Sequence, residues 1–128
     1  MAIRCIVVTP ERTELQQDTD FVALPMADGE LGLLPGHSPM IGRLGYGVLR
    51  LQTPTGAERY FVDGGFAQVE DDVLSVLTAR AIPVGRLDAE QAQRDLEEAL
   101  YLPSHTPEEA QLKRTAVARA RGMVRAAK

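Results

Sequence analysis

A chain of 128 residues and 13.9 kDa has room for one ordinary core, or for a small domain with an appendage, but not for two full domains. Its 45% hydrophobic and 25% charged residues are the mix of a soluble globular protein, and no apolar run approaches the ~20 residues of a membrane span. The net charge of -4 is modest, and the single cysteine, Cys5, excludes an internal disulfide or a thiolate zinc cluster.

Residues 3 to 8 are apolar and largely β-branched, and Thr9-Pro10-Glu11-Arg12 breaks the run before Thr13 to Gln17 resumes it. This predicts a strand, a turn and a strand, with Cys5 as a packing residue. No charged leader or transit-type stretch precedes Ile3, so the chain is expected to stay where it is made. Asp20 to Pro25 is a further short strand, and Asp28-Gly29 a hairpin turn.

Gly29-Glu30-Leu31-Gly32-Leu33-Leu34-Pro35-Gly36-His37-Ser38-Pro39 is the densest turn chemistry in the chain. Three glycines open backbone angles closed to other residues and two prolines remove donors, so the segment is expected to turn sharply rather than run as a strand. Its leucines then sit in a loop, which reads either as a docking surface or as a buried corner plugging a sandwich end.

Gly45 to Leu51, Glu58 to Asp63, Phe66 to Glu70 and Val73 to Ala79 alternate in polarity, separated by Pro54-Thr55-Gly56, Gly64-Gly65 and Asp71-Asp72. Short strands at this spacing predict an antiparallel β-sandwich or flattened barrel over 1–86. The expected inward residues are Ile3 or Ile6, Phe21, Leu24, Val48, Phe61, Phe66, Val69 and Val76.

The period changes at Leu87. Asp88 followed by Gln91 has capping-box spacing, and Ala92, Leu96, Ala99 and Leu100 recur at helical intervals. Thr106-Pro107-Glu108-Glu109 opens a second helix, with Val117, Ala120, Val124 and Ala127 on its small-residue face. Residues 87–128 therefore predict a C-terminal α-helical hairpin. Residues 87 to 102 carry five acids against Arg94, whereas residues 112 to 128 carry six basic side chains and no acid. An alanine seam buries little area, so the hairpin is either a docked element or one that opens to bind a partner.

His37 and His105 stand in no ligand pattern, and neither a nucleophile elbow nor a phosphate-binding loop is present, so no catalytic residue and no metal site is expected. Aromatic side chains are absent among the C-terminal arginines, which argues against nucleic acid as a partner.

The glycine-rich motif from Gly29 to Pro39, followed by Phe61-Val62-Asp63-Gly64-Gly65-Phe66 and Val76-Leu77-Thr78, resembles the epsilon-subunit family of F-type ATP synthases, and the likeness runs in order over the whole chain. The resemblance implies a non-catalytic rotor subunit of the central stalk, its sandwich held by the gamma subunit and resting on the c-subunit ring. It places the ring contact at Glu30, Leu31, Gly32 and His37. It implies a hairpin that extends toward the α/β catalytic head and slows ATP hydrolysis, with Arg114, Arg119, Arg121 and Arg125 meeting acidic β-subunit surfaces. Membrane association would come only through the complex, at the cytoplasmic face of a bacterial inner membrane, with a plastid thylakoid equally compatible. Some family members bind ATP at the folded hairpin. Here Leu87-Asp88-Ala89-Glu90-Gln91-Ala92 has Gln91 where that pattern has arginine, so weak or no ATP binding is expected, with Asp88, Gln91, Arg121 and Arg125 as the possible contacts. A nucleotide-sensing module is the alternative function, and no resident cofactor is implied.

Overall fold

The computed structural model describes residues 2–128. Its strands are β1 (Ile3–Val8), β2 (Thr13–Thr19), β3 (Phe21–Met26), β4 (Gly29–Leu33), β5 (Met40–Thr53), β6 (Gly56–Glu70), β7 (Val73–Leu77) and β8 (Ala81–Pro83). A 3-10 turn at Val84–Arg86 leads to helices α1 (Ala89–Leu100) and α2 (Pro107–Ala126). The expected order, sandwich strands and then a helical hairpin, is the one observed.

The strands form one sheet in the order β2-β1-β7-β6-β5-β3-β4, with β8 on β6. All neighbours run antiparallel except β1 beside β7, a parallel pair that local strand patterns did not announce. The sheet is not closed, since β2 and β4 are its two ends. The alternating polar side chains of Thr13–Thr19 suit such an open edge, where charge discourages further pairing.

One sheet makes a sandwich because it folds over itself. The core joins Ile3, Cys5 and Val7 of β1 to Val22 and Leu24 of β3 and Leu33 of β4, although three strands lie between β1 and β3. Long β5 and β6 carry the bend, paired from Met40↔Val69 to Thr53↔Gly56.

Their inward positions change parity midway. Leu44 faces the core on one side of the bend and Leu49 and Leu51 on the other, and on β6 Val62 gives way to Ala67 and Val69. The change falls at Gly64 (φ +68°) and Gly65 (φ +109°), left-handed angles that a side chain resists; a Cβ on Gly65 would also strike the Leu77 carbonyl. The expected break at Gly64-Gly65 is therefore a switch of facing within one strand. As a result Phe66, expected inside, points outward and is 52% exposed. Val48 and Phe21 are only half-buried, while Ile3, Leu24, Phe61, Val69 and Val76 are buried as expected.

The glycine-rich segment also differs from expectation. Gly29–Leu33 is a regular edge strand on β3, and the turning is confined to residues 34–39. Period-two burial of Leu31 and Leu33 outweighs the flexibility of the flanking glycines.

In the hairpin, Asp88 caps α1 by accepting from the Glu90 and Gln91 amides. The reciprocal half of its capping box does not form, because the Gln91 side chain bonds Asp95 and Arg94 instead. Thr106 and Glu109 make a complete box on α2. Ala92 and Ala99 of α1 and Ala120 of α2 are buried, whereas Val117, Val124 and Ala127 of the expected α2 face are only half-buried.

Candidate functional site

Three surfaces carry chemistry, and the first is the sandwich end around residues 34–39. Leu33 is fully buried and Leu31 half-buried against the core, so Leu34, 61% exposed, is the leucine this loop offers outward. Glu30 sits on the β4 edge and pairs with Arg50 at 3.0 Å. Gly32 lies against the Phe21 ring, too close for a Cβ to fit at ease. The His37 amide donates to the Leu34 carbonyl at 3.2 Å, and its ring Nδ1 lies 2.8 Å from the Ser38 carbonyl, a hydrogen bond that needs the proton on Nδ1. Gly36 (φ +87°) donates its amide to Asp72 Oδ1 at 2.6 Å. Of the four residues assigned here, Glu30 and Gly32 are exposed, His37 is half-buried, and Leu31 packs against the core.

A second surface follows from the switch at Gly64-Gly65. Register places Arg43 beside Phe66, Phe66 beside Leu77 and Leu77 beside Val8, one row across β5, β6, β7 and β1. Ile41, two residues before Arg43, shares that face and is 72% exposed, and Leu77 is 53% exposed. The outer face thus presents three large apolar side chains, Ile41, Phe66 and Leu77, with Arg43 among them, and clustered exposed apolar side chains suit a partner.

The third surface is the seat of the hairpin. Asp63, its side chain only 4% exposed, receives the Arg119 Nε of α2 at 2.6 Å and the Arg80 Nε at 3.2 Å. Its own amide is held by Thr78 Oγ1 at 3.0 Å. The Arg119 guanidinium also lies 5.5 Å from the centre of the Tyr46 ring, a cation–π distance. One turn on, Gly122 packs on the Tyr46 carbonyl with no space for a Cβ. A charged contact and a close backbone approach thus attach the hairpin to the sheet.

Of the other arginines, Arg121 and Arg125 line a cleft of about 610 Å³ with Met26, Arg43, Tyr46 and Phe66, to which α1 contributes no wall. Arg114 bonds Gln111 at 2.7 Å and, with Arg121, borders a hollow formed with Leu100 and Val117. Asp88 is engaged in its cap and Gln91 with its α1 neighbours, so the four residues named as possible ATP contacts fall into two separate groups. Among the described residues no group of His, Cys, Asp and Glu could hold a metal, and no helix is long and apolar enough to cross a membrane.

Sequence reasoning passed over Asp63, Arg80 and Tyr46. The available signal was a carboxylate following Phe61-Val62 in a strand centre, where burial demands a counter-charge.

Residues 2–84 match the family described as ATP synthase, Delta/Epsilon chain, beta-sandwich domain. The full chain is 70% identical to the ATP synthase epsilon chain of Rhodopirellula baltica, covering 100% of both. It is 42% identical over 94 residues to that of Granulibacter bethesdensis, 73% of this chain and 70% of the relative. In shape it is similar to a chain in the cryo-EM structure of the Euglena gracilis mitochondrial ATP synthase, OSCP/F1/c-ring in rotational state 1, with TM-score 0.87 and 25% identity over 99% of this chain and 82% of the other.

Proposed function

Because the chain belongs to the epsilon-chain family of ATP synthase, we propose that it is a non-catalytic rotor subunit that couples the c-ring to the catalytic head through gamma and regulates hydrolysis through its hairpin. The observation that carries the regulatory half is the seat of α2. A basic helix anchored by Arg119 on a buried carboxylate is separable, and Arg80 stays behind to neutralise Asp63 when it leaves. Both end states are thus electrostatically tolerable, as a two-state element requires. Once lifted, α2 carries Arg114, Arg119, Arg121 and Arg125 with no acid beyond Glu109 to hold them back, a surface suited to acidic β-subunit side chains.

For the coupling half, the apolar face with Ile41, Phe66 and Leu77 fits the gamma subunit, and the end carrying Leu34, Glu30, Gly32 and His37 fits the c-ring. Attachment to the membrane follows from the ring, at the cytoplasmic face in a bacterium. Co-purification of gamma with a Phe66→Asp, Leu77→Asp chain tests the assignment. Loss of gamma is the expected result, and undiminished recovery would contradict it.

A further inference from the structure

The turn between β6 and β7 places two aspartates at left-handed backbone angles. Glu70 pairs with Val73, so Asp71 and Asp72 are its only central residues, and they hold φ of +51° and +60°. Two-residue turns with both φ positive ordinarily carry asparagine, aspartate or glycine first and glycine second, so Asp72 is the residue whose Cβ is crowded there. Asp72 ties three pieces of chain together from that position. Its carbonyl accepts the Arg4 amide of β1 at 2.9 Å, and its carboxylate accepts the Gly36 amide, 36 residues away, at 2.6 Å.

The loop it reaches, residues 34–39, is poor in amide donors. Pro35 and Pro39 have no amide to donate, and the His37 amide closes a turn onto Leu34 within the loop. The Gly36 amide leaves the loop for a carboxylate acceptor, a stronger partner than a neutral one.

We propose that Asp72 is a positioning residue for rotor coupling: it holds the 34–39 loop in the attitude that presents Leu34 and His37 to the c-ring. This rests on the ring-contact reading of that loop. A loop that transmits torque must resist displacement, and the Asp72 tether stiffens it from outside while the strained turn keeps the carboxylate in reach.

The test uses the full chain, alone and in the assembled synthase, with Asp72→Gly, Asp72→Asn and Leu34→Asp. Glycine relaxes the turn and removes the acceptor, whereas asparagine keeps an acceptor oxygen in the same backbone. The Asp72→Gly chain should unfold at the same temperature as the parent or higher, exchange its Gly36 amide about tenfold faster, and pump fewer protons per ATP hydrolysed. Asp72→Asn should recover part of both losses. Unchanged Gly36 exchange in Asp72→Gly, or full pumping in it while Leu34→Asp pumps poorly, overturns the role of Asp72. Full pumping by Leu34→Asp overturns the ring-contact reading and the inference with it.

Discussion

Asp63 is buried, and a buried carboxylate is tolerable only while its charge is answered. With two arginines on it, removing one is a milder change than stranding the charge. Arg119→Ala should weaken hairpin docking by about 1 kcal/mol, since Arg119 is partly solvated and Arg80 remains. Adding Arg80→Ala strands Asp63 and should cost about 3–5 kcal/mol in all. Thermal unfolding of the two single variants and the double variant measures this, and strict additivity of the single effects would contradict the shared-partner account. Cys5 is simpler. Burial pushes its thiol from an ordinary 9.0 up to about 12, so the folded state keeps the neutral form. A raised acid stabilises below its unfolded value, and that contribution is lost as pH rises from 9.0 toward 12. Replacing Cys5 by Ala should therefore flatten the alkaline limb of the stability curve, and an unchanged slope over that range would contradict the assignment.

At the scale of the element, Gly122 opposes two tendencies in α2. Glycine lowers helix stability by about 1 kcal/mol relative to alanine, yet it is what lets α2 lie on the Tyr46 carbonyl. Gly122→Ala should strengthen the isolated helix while undocking the hairpin, seen as a rise in helical circular dichroism with increased protease access to α2. Tighter docking would refute that packing argument. The limits of reading from sequence are visible here too. Thr106-Pro107 and Asp88 marked the helix starts because caps are local, and Leu102-Pro103 marked the end of α1 for the same reason. Gly64-Gly65 reads as punctuation, but whether two glycines break a strand or turn its face depends on what packs on either side. Asp63 lies 17 residues from Arg80 and 56 from Arg119, and the parallel pairing of β1 with β7 spans most of the sandwich, so neither could follow from local pattern. Helical spacing placed the arginines around α2 but did not say which of them faces the sheet. Arg119 pairs with the sheet's Asp63, and Arg121 and Arg125 border a cleft on the sheet rather than meeting Asp88 or Gln91.

At the scale of the whole molecule, that separation bears on nucleotide. Phosphates need converging cations and free donors, while α1 offers an engaged Asp88 and a Gln91 already bonded to Asp95 and Arg94. Titration calorimetry with ATP should give at most a weak signal, and tight one-to-one binding would favour the nucleotide-sensing alternative. On the function proposed above, the sandwich couples and the charge-held hairpin regulates, through competition between Asp63 and the head for Arg119. ATP hydrolysis by the assembled synthase tests this most directly, comparing the parent chain, Asp63→Asn, a chain ending at Arg86, and Asp63→Asn in the shortened chain. The account predicts slower hydrolysis with Asp63→Asn, faster hydrolysis on truncation, and no effect of Asp63→Asn once residues 87–128 are gone. Equal rates in all four would contradict it.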